Sequence, residues 1–380
     1  MKRISKVRVE HRDEPRGGRI VRIATSVGTV ETPTRAPTST ELNAKVNIHF
    51  EEPWDNLVFE VASRFLDVAQ VQALHQKNGA YATKRRALAA QVDKFRGYAL
   101  TKYFPQLALG TTLDARDVRT LLDLQVEAGF DVISIPEPSS SCTLKRFEEN
   151  LDRSWSYISA QDGDLAVMPY ASMSQDPAAF KAKLTALVEH EGDLRAIGLH
   201  FASPLTFRPN YLTLSEFGDR DVWFHSSGGR RYPSPRQPLA QLHAIQRFGV
   251  DSVSLGVPQA PVRRDPDWRY VRYFDRGTVT YPRIQEACGR EASLPCGCPL
   301  CRHRKLDDLV SHMRSLGNQD ELVLRINDAA RVHEVYASTA EFEDARRAIR
   351  EGRLVRYFRR KAGLKPFLMP EDNQARLVLE

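Results

Sequence analysis

Three cysteines, Cys296, Cys298 and Cys301, fall within six positions of a 380-residue chain that has only five. Thiolates spaced C-x-C-x-x-C on a tight turn can aim three sulfurs at one point. That is how a tetrahedral zinc site begins, with a distant residue supplying the fourth ligand. His303 is two positions past Cys301 and would strain the turn, and His312 is available on a following helix. His333, which opens the amphipathic segment HEVYASTAEFEDARRAI, is the preferred fourth ligand. Four protein ligands leave no open position, so the zinc would be structural, pinning a subdomain rather than activating water. Cys142 and Cys288 stand apart from the cluster.

The elements that must position these ligands follow from periodicity. Residues 19–33, RIVRIATSVGTVETP, alternate apolar and polar residues around Gly28, as an antiparallel hairpin does. Short apolar runs then alternate with helical patterns: NLVFEVA, DVISIPE, LAVMPYA, RAIGLHFA, VWFHSSGG and VDSVSLGVP are separated by segments such as ARDVRTLLDLQVEAG and DPAAFKAKLTALVEHEG. Repeated strand-then-helix order predicts a parallel α/β fold with chemistry at the strand ends. A TIM-like (β/α)8 barrel is the leading architecture and an open doubly wound sheet the alternative. The expected organisation is an N-terminal antiparallel segment over residues 1–50, a barrel core over 51–285, and a zinc-binding subdomain with a basic C-terminal helix over 286–380.

Composition narrows the setting. With 42% hydrophobic and 27% charged residues the chain reads as globular. No run of about 18 apolar residues could span a bilayer and the start has no apolar stretch of the secretion type, so a cytoplasmic location without membrane contact is expected. Thiols are kept reduced there, which favours metal ligation over disulfides. The net charge of +7 favours a polyanionic partner. The excess concentrates in DARRAIREGRLVRYFRRKAGLK, where Arg346, Arg350, Arg353, Arg356, Arg360 and Lys365 recur at helical spacing and would form one basic face.

Taken in order along the chain, these segments resemble the tRNA-guanine transglycosylase superfamily, zinc-dependent barrels that exchange guanine for a 7-deazaguanine base. GTVETPTRAPTST is similar to the family's opening strand. AGFDVISIPE lies where the family has a strand ending in an acidic base-reading residue. RAIGLHFA is similar to its Gly-rich strand, FGVDSVSLGVP to its nucleophile strand, and CGCPLC with HEVYASTAEFEDARRAIREG to its zinc ligands and the helix behind them. The PTSTELNAK stretch and the long spacer before the cysteines resemble the DpdA type, the branch that places 7-deazaguanine bases in DNA.

The resemblance implies base exchange through a covalent carboxylate intermediate, with a second acid moving protons to and from the departing base. On that reading Asp93, in the region AAQVDKFRGYALTKY where the family carries Asp-Ser-Gly, and Asp251 are the catalytic carboxylates, and Glu137 reads the base edge. The position of the family's nucleophile holds Ser254, and Asp251, three residues earlier on a strand, points to the opposite face. Two functions are therefore expected. One is a transglycosylase acting on nucleic acid, DNA in preference to tRNA. The other is a catalytically silent, zinc-stabilised paralogue that binds nucleic acid and assists a partner subunit or a second copy.

Overall fold

Apolar runs of four to seven residues with buried side chains on both faces are what a parallel sheet covered by helices requires. The computed structural model of the protein describes residues 3–13, 17–42, 58–62, 66–108, 110–161, 164–192, 194–231, 239–256, 268–287, 298, 306–315, 319–370 and 372. Three strands come first, β1 (Ile4–Arg12), β2 (Arg19–Thr25) and β3 (Gly28–Glu31), paired antiparallel in the order β1-β2-β3. Eight more form one sheet: β4 (Thr34–Arg35), β5 (Val58–Ala62), β6 (Leu100–Phe104), β7 (Val132–Ile135), β8 (Ala166–Ser172), β9 (Ala196–His200), β10 (Trp223–Gly229) and β11 (Ser252–Leu255). Their order is β4-β11-β10-β9-β8-β7-β6-β5, every neighbouring pair is parallel, and β4 meets β5 through a parallel bridge from Thr38 to Glu60. The sheet is thus an eight-stranded barrel, as expected.

Helices fill the crossovers. The first ones are α1 (Ser39–Leu42), α2 (Val68–Gln72), α3 (Gly79–Phe95), α4 (Ala115–Ala128) and α5 (Leu144–Ser159). They are followed by α6 (Pro177–Val188), α7 (Arg208–Glu216) and α8 (Gln241–Ala244). Local signals set their ends. Asp114 and Asp117 form a reciprocal capping box at the start of α4 and Gly129, at φ 81°, ends it; such a cap stabilises by about 1 kcal/mol. Phe59, Ile133, Leu199, Phe224 and Val253 point outward and pack under these helices in the main core. Each buried side chain of this kind contributes roughly 1.5–3 kcal/mol.

The alternate residues point into the barrel. Leu100, Val132, Met168, Ala196 and Trp223 form its apolar floor together with Ile4, Val7, Val21 and Ile23 of the antiparallel sheet. That sheet caps the end where the strands begin: Arg195, just before β9, donates to the Ile4 carbonyl at 3.1 Å, and the Val9 amide donates to Asp221, just before β10, at 2.7 Å. The expected hairpin is β2-β3. The N-terminal segment also contributes β1 and the first barrel strand, β4, and β6 had no counterpart among the expected strands.

The C-terminal part comprises α9 (Ile284–Ala287), α10 (Leu306–Ser315), α11 (Gln319–Arg350) and α12 (Leu354–Arg360). Gly352, at φ 63°, separates α11 from α12, so the basic segment is two helices joined by a turn rather than one continuous face. The long α11 lies along β4 and α1 and is tied to them by buried charge. Glu334 accepts from Arg35 of β4 at 3.2 Å, from Tyr281 at 2.9 Å and from Arg231, just past β10, at 2.7 Å, while Arg35 also pairs with Glu41 of α1.

Candidate functional site

The residue before Glu334 is His333, and its ring is fixed from two sides. It is buried, stacked on Tyr273 with centroids 3.8 Å apart, and its Nε2–H donates to the Phe274 carbonyl at 2.8 Å. That bond makes Nδ1 the unprotonated ring nitrogen, and Nδ1 faces the sulfur of buried Cys298 at 3.5 Å. With Zn–S near 2.3 Å and Zn–N near 2.0–2.1 Å, two ligands of a tetrahedral zinc stand about 3.6 Å apart. The Cys298–His333 pair therefore fits one edge of such a site, and the Phe274 carbonyl is the outer partner that a metal-bound histidine usually has. Cys296, Cys301 and His303 lie outside the described residues, as does the side chain of His312.

A second cluster occupies the barrel lumen above the apolar floor. Glu60 of β5 is fully buried and accepts four hydrogen bonds. Its Oε2 takes Lys102 Nζ of β6, Ser227 Oγ at 2.6 Å and His225 Nε2–H at 3.1 Å, the last two from β10; its Oε1 takes Ser254 Oγ of β11 at 2.6 Å. Lys102 also donates to Tyr170 of β8 at 2.6 Å and to Ser227 at 3.0 Å, which uses all three of its protons. On the far side of His225, Nδ1 accepts from Ser252 Oγ at 2.6 Å, and Ser252 accepts from the Trp223 indole at 2.7 Å. Gly198 makes room for this arrangement, since a Cβ there would lie 2.5 Å from the Tyr170 ring.

Electrostatics follow from burial and pairing. Burial alone would raise the Glu60 carboxyl, but Lys102 and the His225 hydrogen bond outweigh it and hold the group ionised, well below the usual carboxylate range. Burial pulls Lys102 down while Glu60 opposes it. Burial, followed by the charge of Lys102, pulls His225 down to about 4, so it is neutral at pH 7. Ser252, His225 and Glu60 have the connectivity of a hydrolytic triad, yet Ser252 is buried under Trp223 where the strands begin and no reactant reaches it. Nearer the strand ends lies an aromatic cluster of Phe104, Tyr170 and His200, with centroids 5.0–5.4 Å apart.

The carboxylates nominated from the sequence lie elsewhere. Asp93 is exposed near the end of α3, paired with Arg96 at 3.0 Å, and the inward-facing residue of that region is Lys102. Asp251 precedes β11, at the end of the barrel opposite to the strand C-termini. There it is clamped by Arg19 Nε at 3.0 Å and Nη2 at 2.5 Å, and by the Phe224 amide at 2.7 Å. Glu137 does sit at the C-terminal end of β7, but it is buried against Lys183 of α6 at 2.6 Å and accepts the Ser172 amide at 2.8 Å, so it ties two strand-end loops together. Burial pushes its carboxyl up, against the pull of Lys183.

Among the basic residues, Arg346 turns inward to the Pro33 carbonyl at 2.8 Å and Arg350 pairs with Glu31. Arg353 pairs with Glu351 at 3.3 Å. Arg356, Arg360 and Lys365 are exposed, and their side chains have no hydrogen-bond or ion-pair partner among the described residues.

The lumenal residues Glu60, Lys102, Tyr170, His225 and Ser227 escaped sequence reasoning. The signal for three of them is an ionisable residue at the third position of the short runs VFEVA, LTKYF and WFHSS, each of which begins with an apolar residue on the same face. No family model matches the chain, and no curated protein matches it either.

Proposed function

We propose that the chain is a zinc-stabilised barrel of the tRNA-guanine transglycosylase type that binds nucleic acid, DNA in preference to tRNA, and assists a partner subunit or second copy without exchanging bases itself. The observation that carries this reading is the state of Glu60. It is the one carboxylate among the residues of the eight barrel strands, and both of its oxygens are engaged, Oε2 by Lys102, Ser227 and His225 and Oε1 by Ser254. A carboxylate that accepts four hydrogen bonds, one from a lysine, is a weak base and a weak nucleophile. Zinc at Cys296, Cys298, Cys301 and His333 would act only to hold the C-terminal helices together. Exposed Arg356, Arg360 and Lys365 supply positive charge for a phosphate backbone. The test is incubation with duplex DNA, tRNA and a labelled 7-deazaguanine base, with binding expected and label transfer not.

One observation favours the second reading, a transglycosylase proper: Glu60 Oε1 lies 2.6 Å from Ser254 Oγ and so brings a carboxylate to the wall where the resemblance puts the nucleophile. On that reading Glu60, released from Lys102 when substrate enters, attacks the sugar. Glu60→Gln would then abolish both exchange and any covalent adduct.

A further inference from the structure

We infer that the barrel lumen has a single carboxylate slot which Glu60 of β5 and residue 254 of β11 can each fill, and that serine at 254 is what admits Glu60. The two side chains meet at 2.6 Å from strands on either side of β4, and both are fully buried. Around them Lys102 supplies one positive charge, and Ser227 and His225 supply the remaining donors. His225 adds no charge because it is neutral at pH 7.

An aspartate at 254 would extend toward Glu60 and set two carboxylates within about 3 Å of each other, a separation at which both cannot ionise. One lysine cannot neutralise two. Removing Glu60 alone leaves Lys102 as an unpaired buried charge, which is also unfavourable. Changing both positions together, Glu60→Ser with Ser254→Asp, transfers the carboxylate from one strand to the other. It keeps one negative and one positive charge in the lumen. The residue at 254 thus determines which strand presents the carboxylate to Lys102.

The significance of position 254 rests on the reading proposed above; the slot itself does not. The experiment is a double-mutant cycle in melting temperature on the full chain at pH 5 and pH 8. Ser254→Asp is expected to melt at least about 5 °C below wild type at pH 8, with a smaller deficit at pH 5, where the raised carboxyl of the pair is protonated. Glu60→Ser should also lose stability, and the double variant should regain most of both losses. Ser254→Asn, of the same size but uncharged, should give a deficit that does not grow with pH. Additive losses in the double variant, or a pH-independent deficit for Ser254→Asp, overturn the inference. If Ser254→Asp does not fold, recovery of a folded, zinc-loaded protein in the double variant supports the slot, and failure to recover it overturns it. Base exchange by the wild-type chain would remove the silent reading and leave the slot intact, whereas a failed cycle would do the reverse.

Discussion

Cys298 Sγ and His333 Nδ1 face each other at 3.5 Å, with the opposite ring nitrogen of His333 committed to the Phe274 carbonyl. The prediction drawn from this contact is one tightly held zinc per chain. His333→Ala should lower the zinc bound per folded chain, and chelation should melt the helices around α11, because metal-binding energy in a structural site is folding energy. Metal analysis alongside helical content by circular dichroism checks both. Full zinc occupancy in a folded His333→Ala protein would move the fourth ligand to another residue.

Asp251 behaves as a structural group in this account. Asp251→Asn leaves the buried Arg19 guanidinium short of its counter-charge and should cost about 3–5 kcal/mol in denaturant unfolding, whether or not any substrate is present. Replacing both partners with apolar residues, Arg19→Met with Asp251→Leu, should cost less than the single change. A stable Asp251→Asn protein would mean that the clamp contributes little.

Nucleic-acid affinity should fall with rising salt, at a slope of about −0.9 per phosphate neutralised on duplex DNA. Charge reversal at Arg356 and Arg360 should flatten that slope by roughly 2, while Arg346→Glu should act mainly on stability, since Arg346 donates to the backbone at Pro33. Binding that ignores both salt and the Arg356 and Arg360 changes would reduce these residues to a solvated surface.

The pH dependence has a defined direction. Burial lowers His225 to about 4 from an unfolded value near 6.5, so its contribution to stability is present at neutral pH and is lost as the pH falls through that window. The loss should be on the order of 3 kcal/mol by pH 4, with uptake of a proton on unfolding. His225→Gln should make the acid limb of the stability curve shallower. An equally steep limb in that variant would exclude His225 as its source.

Much of the fold was legible because hydrophobic periodicity and burial express the same constraint. The runs NLVFEVA, DVISIPE and VDSVSLGVP became β5, β7 and β11 since parallel strands under helices must be apolar on their outer face. The expected strands omitted β6, whose run LTKYF holds a lysine at its centre. Lys102 is tolerated only because Glu60, Tyr170 and Ser227 arrive from three other strands, a coincidence of register that no local pattern encodes. Asp93 and Asp251 drew interest as carboxylates near expected motif positions, but their neighbours, Arg96 three residues away and Arg19 from the distant β2, decide what they do. Of the expected zinc ligands, the structure brings Cys298 and His333 together, a pairing that the clustered thiols and the amphipathic segment opened by His333 had suggested.

The central claim, that the lumenal carboxylate is occupied and the barrel exchanges no base, is tested most directly by quantifying incorporation of a labelled 7-deazaguanine base into duplex DNA and tRNA by the zinc-loaded wild-type chain alone. The account predicts retention of nucleic acid with incorporation no higher than in a protein-free control. Incorporation above that control which disappears in Glu60→Gln, with a covalent adduct trapped in the wild type, would contradict it and make Glu60 the nucleophile.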